Sequence, residues 1–300
     1  MQLFSRRMTF SIVAYDENGD FGVAVQSKFL CVGQIVPWAK ANVGAVATQA
    51  NVNTSFGPRG LELLGKGYTS EEVIAELLKD DELKEQRQLA VIDRKGIATP
   101  FTGADAFYWA GHKAGKNYSC QGNILVDDKT VEDMSSAFET TKGDLADKLL
   151  AVLRAADQPG RGDVRGKQSA ALLIVRDKGG FGGYTDRWID IRVDEHLEPI
   201  KELNRIFQIY DMTFLKRENP ENLWDIEGEI ESNIKGTLIQ LNYLKTKDVN
   251  RNELLAALED WTGINNFENK WVENKIWRSV YDYMLEEKGT PMVALRKMPK

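Results

Sequence analysis

Apolar positions fall in short runs rich in β-branched residues through the first half of the chain. Longer helical periods take over later. TFSIVAYD (9–16) and FGVAVQSK (21–28) read as strands flanking the turn ENGD, and an Asn-Gly pair between two such runs predicts a hairpin. A nearly uncharged run at 43–49, VGAVATQ, predicts a strand buried on both faces. Two helices follow. The first covers about 58–64. The second starts at Thr69 or Ser70, where Thr69 and Glu72 fit a capping box and Val73, Ile74, Leu77 and Leu78 form the apolar face. Strands are predicted again at 88–93, 97–102 and 119–126, then helices at 131–139 and 144–156. Next come a glycine-rich loop (QPGRGDVRGKQ), a strand at 169–175, the turn GGFGG, a strand at 188–193 and a helix at 199–209.

Strands, two helices, strands, two helices, strands: the order has too few crossovers for a Rossmann-type sheet and too many helices for an all-β sandwich. Two antiparallel sheets packed face to face with helix pairs outside, an α+β arrangement of αββα type, accounts for it. Strand-like patterning stops near Asp211. Helices rich in Glu, Lys, Asn, Leu and Trp are predicted near 223–243, 252–258 and 271–285, after a break at Asn219-Pro220. The expected organisation is a leader at 1–8 absent from the mature chain, a main domain at 9–212 and a small all-α domain at 213–300.

Composition narrows the class without naming it. A net charge of -6 with no block of like charges disfavours nucleic acid and anionic membranes as partners. No apolar run reaches the roughly 18–20 residues that span a bilayer, and the N-terminal stretch lacks a cleavage-site pattern, so a cytoplasmic location is expected. Cys31 and Cys120 are expected to be reduced. Neither an HExxH motif nor Cys/His ligand spacing is present, and Asp194-Glu195-His196 reads as a capping turn before the helix at Pro199. No metal or cofactor is expected, and GGFGG reads as a hairpin turn rather than a nucleotide fingerprint.

Eight blocks carry a resemblance: TFSIVAYD, GVAVQSKFLCVG, VPWAKANVGAVATQA, FGPRGLELL, FTGADAFYWAGH, QGNILV, GDVRGKQSAALL and DIRVDEH. In this order, from Thr9 to about Leu203, they resemble domain of unknown function 1028. That resemblance implies an Ntn-hydrolase-like fold, a four-layer αββα sandwich related to proteasome β-subunits, often assembled into homo-oligomers through its helical layers. WTGINNFENKW (261–271) resembles part of a peptidoglycan-binding-like domain that follows the core in some members. The tryptophans and tyrosines of this tail read as helix-packing core rather than a glycan platform.

An N-terminal-nucleophile hydrolase needs a hydroxyl or thiol on its first mature residue and that residue's free α-amine as base. The amine's ordinary pKa of about 7.7–8 suits this role. Thr9 offers the hydroxyl. Its amine becomes free if translation begins at Met8 and the methionine is removed, the favoured route, or if the chain cleaves itself at Met8–Thr9. Ser11 and Ser27 are poor substitutes as nucleophile. Lys28 and Lys40 are the candidate cations beside it, each also readable as a solvated surface charge. Gln26-Ser27 stands where proteasome-like members carry an acidic residue. Substrate-binding candidates are Ser27, Thr48 and Gln49 facing a cleft, and Asn123 as an oxyanion donor. Arg165, Gln168 and Ser169 join them after the glycine-rich loop. Asp163 pairing with Arg165 would instead make that loop structural. The expected function is hydrolysis of an amide bond in a small-molecule or peptide-like substrate, with peptidoglycan-related fragments among the candidates. The other readings are a non-catalytic ligand- or partner-binding protein on the same fold, and a tail that serves as a docking module.

Overall fold

The computed structural model describes residues 9–106, 108–215 and 217–292. The chain begins with β1 (Thr9–Tyr15) and β2 (Phe21–Ser27), the predicted antiparallel hairpin. Its turn is closed by Gly19 at φ 91° and by the Asp16 carboxylate, whose Oδ1 accepts from the main-chain N–H groups of Asn18 and Asp20. Then follow β3 (Pro37–Lys40), β4 (Gly44–Ala50), α1 (Phe56–Gly65), α2 (Ser70–Leu78), β5 (Arg87–Asp93), β6 (Ala98–Thr102), β7 (Trp109–Gly115) and β8 (Tyr118–Leu125). After these come α3 (Lys129–Thr140), α4 (Leu145–Ala156), β9 (Ser169–Val175), β10 (Arg187–Val193) and α5 (Pro199–Phe214). The capping box at Thr69–Glu72 starts α2, and a second at Asp144–Asp147 starts α4.

The strands form a six-stranded sheet in the order β10-β9-β2-β1-β8-β7 and a four-stranded sheet in the order β3-β4-β5-β6. Every pairing in both is antiparallel. Two strands were not predicted. β3 is four residues long and opens with proline, and β7 is an edge strand whose second half is exposed, so neither shows a buried periodicity.

Side-chain alternation explains the packing. Val13, Val23, Val25, Ala171 and Leu173 of the six-stranded sheet share one buried cluster with Ala45, Ala47, Ala90 and Ile92 of the four-stranded sheet. The intervening residues Val46, Leu89 and Val91 turn the other way and pack with Phe56 and Leu64 of α1 and Val73, Ile74 and Leu77 of α2. On the six-stranded sheet, Gly22 lets α4 approach closely: a Cβ there would lie 2.5 Å from Leu149 Cδ1.

The chain divides into two compact units, the first ending at Ile206 and the second beginning at Phe207, a division that falls inside α5. The second unit contains β11 (Leu223–Asp225), α6 (Gly228–Gln240), α7 (Arg251–Ile264), β12 (Lys275–Trp277) and α8 (Arg278–Glu286). Its helical character agrees with the sequence pattern, but Leu223–Asp225 pairs with Lys275–Trp277 as a short antiparallel ribbon where helix was expected. Three-residue strands are too short to show an alternation. The core of this unit gathers Ile234, Leu238, Leu254, Leu258 and Trp261, the last wholly buried, while Trp224, Trp271 and Trp277 pack partly buried against it. Among the described residues no helix is long and apolar enough to cross a membrane.

One ion pair pins the corner at which β4 ends and β5 begins. Arg87 is held by both oxygens of Asp81 at 2.7 and 3.0 Å, and its guanidinium also donates to the carbonyl of Asn51. The arginine holds the Asp81 carboxyl below its ordinary pKa, so its stabilisation is complete at neutral pH. It is lost as pH falls below about 3.9, the unfolded value, through the lower folded one. Asp81→Asn should therefore cost about 3 kcal/mol in denaturant unfolding at pH 7, since it strands a mostly buried guanidinium. The difference from wild type should shrink as pH drops below 4, and a gap of the same size at pH 2.5 would count against this account.

Candidate functional site

At one end of the space between the sheets the facing side chains are polar instead of apolar. Thr9 and Ser11 of β1, Ser119, Gln121 and Asn123 of β8, Gln49 of β4 and Gln88 of β5 are all buried there. Register puts them together: Thr9 opposes Asn123, Ser11 opposes Gln121, and Gln49 opposes Gln88. Buried polar groups of this kind must satisfy one another.

Their hydrogen bonds have a direction that can be deduced. Gln88 Nε2 shares its two hydrogens among the main-chain carbonyls of Gly122 (2.8 Å) and Gly111 (3.1 Å) and the Thr102 hydroxyl (2.9 Å). A carbonyl can only accept, so the other end of Gln88 must be the acceptor Oε1. That oxygen takes Gln49 Nε2 at 2.7 Å and Asn123 Nδ2 at 2.9 Å. Gln49 Oε1 is then left to accept from the Ser11 hydroxyl at 2.7 Å. Ser11 in turn accepts from Gln121 Nε2 at 2.7 Å, and Gln121 Oε1 accepts from Ser119 at 3.0 Å. Thr102 also meets His112 Nδ1 at 2.9 Å; partial burial lowers the pKa of this histidine, which leaves its neutral ring able to accept.

Thr9 sits at the edge of this network and is only 4% exposed. Its main-chain carbonyl receives the second hydrogens of Asn123 Nδ2 (3.4 Å) and Gln49 Nε2 (3.5 Å), and its hydroxyl donates to Ser27 Oγ at 3.2 Å. Side chains from β2, β4 and β8 thus meet at the first residue of β1. Beside it lies a depression of about 10 Å³ lined by Thr9, Gln49 and the apolar Phe29, Val32, Ile35, Val36, Ala50 and Val52. The residues that follow the two amides, Ala50 (φ 64°) and Ile124 (φ 54°), adopt the left-handed backbone region, which is unusual for a β-branched side chain such as Ile124.

The other sequence-derived candidates are distributed as follows. Ser27 and Gln49 join Thr9. Thr48 does not, because neighbours on a strand face opposite ways: it lies on the α1–α2 side and donates to the carbonyl of Asn53 at 3.3 Å. Asn123 is at Thr9, but both its N–H groups are engaged, so in this arrangement it has none to spare for an oxyanion. Lys40 is exposed and opposes Gly44, five residues along β4 from Gln49, roughly 17 Å away. Lys28 directs its ammonium to the carbonyl of Lys167 at 3.1 Å. Gln26 points away from Ser27, is buried, and leaves Nε2 without a partner among the described residues.

The 157–168 loop braces the end of β2. The buried Asp163 carboxylate accepts from the main-chain N–H groups of Lys28 (3.0 Å) and Arg165 (2.8 Å), and burial raises its pKa against the effect of those bonds. Arg165 lies 3.5 Å from the same carboxylate and reaches the carbonyl of Lys28, which is the structural pairing. Gln168 donates its main-chain N–H to Ser27 and accepts from His196. Ser169 accepts from the N–H of Val32 and donates to the carbonyl of Phe29. His196 Nδ1 caps the N–H of Glu198 at 3.0 Å. Cys31 and Cys120 are free thiols, and burial raises the pKa of Cys120 strongly.

Gln88, Gln121, Ser119 and Thr102 were not anticipated, and Ser11 was weighed only as a poor substitute for the nucleophile. A signal for them exists in YSCQGNIL, where Ser119, Gln121 and Asn123 recur at period two. Such a pattern ordinarily marks a solvated face, and only the second sheet turns it into an interior. The deduced polarity is testable at Gln88. Gln88→Glu loses the donors to Gly111 and Gly122, and its buried carboxyl should hold a proton at a raised pKa. Stability relative to wild type should fall as pH rises from about 4.3, the unfolded value, toward that raised one and level off above it, reaching a deficit of about 3 kcal/mol or more at pH 8. Equal urea midpoints for the two proteins at pH 8 would rule the assigned polarity out.

Comparison with known proteins agrees with this architecture. A model described as "Putative peptidoglycan binding domain" matches residues 213–284. No curated protein matches the chain. The crystal structure of protein SPO2555 from Silicibacter pomeroyi, itself assigned to DUF1028, is 31% identical with a TM-score of 0.62 and covers 68% of this chain and 86% of its own. The model described as "Family of unknown function (DUF1028)" matches residues 9–203, the whole span that carries both sheets and the buried polar network, and the chain belongs to that family.

Proposed function

We propose that this protein is an amide-bond hydrolase of the N-terminal-nucleophile type, built on a four-layer αββα sandwich, with Thr9 as nucleophile. The observation that carries the reading is the convergence on Thr9: three other strands send side chains to it, one to its hydroxyl and two to its carbonyl. The cluster shared between the sheets, with α1 and α2 packed on the four-stranded sheet and α4 on the six-stranded one, supports the layer order.

In this mechanism the neutral α-amine of Thr9 takes the hydroxyl proton as Oγ1 bonds to the substrate's carbonyl carbon. The same proton passes to the leaving amine as the carbon–nitrogen bond breaks, giving an ester on Thr9. Water, deprotonated by the amine, then releases the acid. Asn123 Nδ2 and Gln49 Nε2 make their longest bonds, 3.4 and 3.5 Å, to the carbonyl of Thr9. Bonds at that limit are weak. Either donor gains by turning toward an oxyanion, where the bond becomes charge-assisted. The surface beside Thr9 is mostly apolar, and the match of the second unit favours peptide-containing wall fragments among the substrates.

A second reading, a non-catalytic small-ligand or partner-binding protein on the same fold, draws on the size of that depression: about 10 Å³ holds at most one water. The two readings separate at the N-terminus, where Met8 and the residues before it lie outside the described residues. Intact mass and N-terminal sequence of protein from the native host should show a chain beginning at Thr9. Against a panel of amides, Thr9→Ala should lose at least about 10⁴-fold in kcat/KM while remaining folded, as expected when a nucleophile is removed, and Thr9→Ser should retain measurable turnover. A chain that keeps Met1 or Met8, or a Thr9→Ala protein as active as wild type, would select the second reading.

A further inference from the structure

One buried oxygen in the polar network has no hydrogen-bond partner among the described residues. The orientation of Asn123 follows from Gln88, and it leaves Asn123 Oδ1 as an acceptor with no partner among the described residues, on a side chain that is 1% exposed. An acceptor sealed from water and left unpaired is costly, and native interiors rarely keep one without a reason. The neighbouring amide donors are already engaged: Gln49 Nε2 on Gln88 and Thr9, Gln88 Nε2 on Gly111, Gly122 and Thr102, and Gln121 Nε2 on Ser11.

Thr9 stands directly opposite Asn123 in the β1–β8 pair. Opposed residues have Cα atoms about 4.5–5.5 Å apart, and the α-nitrogen is about 1.5 Å from its own Cα. With Met8 attached, that nitrogen carries a single hydrogen. Freed, it carries two as an amine and three as an ammonium, so the step that creates the base also creates a surplus of donors beside an acceptor that lacks one. We propose that Asn123 Oδ1 is the hydrogen-bond acceptor for the α-amine of Thr9, a positioning residue that holds the nucleophile's own base. The inference rests on the reading of Thr9 as terminal nucleophile.

Two consequences follow from this bond. One N–H held by Asn123 restricts rotation about the Cα–N bond of Thr9 and so orients the nitrogen lone pair with respect to Oγ1. A bond that is stronger to the ammonium than to the neutral amine raises the amine's pKa relative to the same site without it. The proposal also gives the two ends of the Asn123 side chain different tasks: Nδ2 is tied to Gln88 and Thr9's carbonyl, and Oδ1 serves the amine.

The test uses protein expressed from Met8, so that methionine removal exposes Thr9, with labelled threonine and asparagine for NMR. The Asn123 side-chain carbonyl signal of the wild-type protein should titrate together with the Thr9 α-amine, and should not do so in protein that retains residues 1–8. In Asn123→Ala the amine pKa should fall by about one pH unit. The acidic limb of the kcat/KM profile should move down with it, while KM changes little. The wild-type titration needs no variant to fold. An Asn123 carbonyl indifferent to the amine, or an amine pKa unmoved in folded Asn123→Ala, overturns the proposal even if Thr9→Ala is inactive. If instead Thr9→Ala remains active while the two titrations coincide, the Asn123–amine bond stands and the nucleophile assignment falls.

Discussion

The polar interior of this protein is organised by two main-chain carbonyls, those of Gly111 and Gly122, which can accept hydrogen bonds but never donate them. That one-way character orients Gln88, and through it Asn123, Gln49, Ser11, Gln121 and Ser119 in turn. Amide side chains normally have two near-equivalent orientations. Here the choice is removed at one end, and every later member of the chain inherits it. Residues from both sheets take part, so the network also fixes how the sheets meet at this end, as the Val–Ala–Ile cluster does at the other.

The distribution of polar and apolar residues across the interface has a physical logic. Apolar packing is indifferent to small rotations, whereas directional bonds in a dry interior tolerate little displacement. Placing the directional contacts at the start of β1 gives Thr9 more exact surroundings than packing alone provides. The left-handed residue Ala50 ends β4 directly after Gln49, and Ile124 is the extra residue of a bulge in β8 against β7, directly after Asn123. Their conformational cost is balanced by the network that keeps Gln49 and Asn123 in place.

Much of the first unit was legible from sequence because its signals are local. The Asn18-Gly19 turn, the capping box at Thr69 and the apolar faces of α2 and α4 can each be read within a dozen residues. β3, β7 and the ribbon of β11 and β12 gave no such signal, being short, at an edge, or mostly exposed. Thr9, Ser27, Gln49 and Asn123 were identifiable as chemistry-bearing residues, but their convergence was not visible in the spacing. Thr48 was misplaced by the parity of one strand position, and Asn123 was picked out for its nitrogen, while the engagement of both its N–H groups and, among the described residues, its unpartnered Oδ1 become visible only in the fold. Gln88 escaped notice because a lone glutamine in an apolar strand has no local meaning; it acquires one only opposite Gln49 and beneath β8.

The separation of these partners along the chain sets an order of events in synthesis. Thr9 leaves the ribosome first, yet Asn123 lies 114 residues further on, and Ser169, which opposes Ser27 in the register of β2 and β9, comes later still. Loop closures of that length are slow and come late in assembly. The surroundings of Thr9 therefore do not exist while the chain is being made. Removal of a methionine, which requires only an accessible terminus, can act on the nascent chain. Any cut made by the folded site itself must wait until the last strand has docked, so the two routes to a free Thr9 are separated in time by the folding of the whole domain.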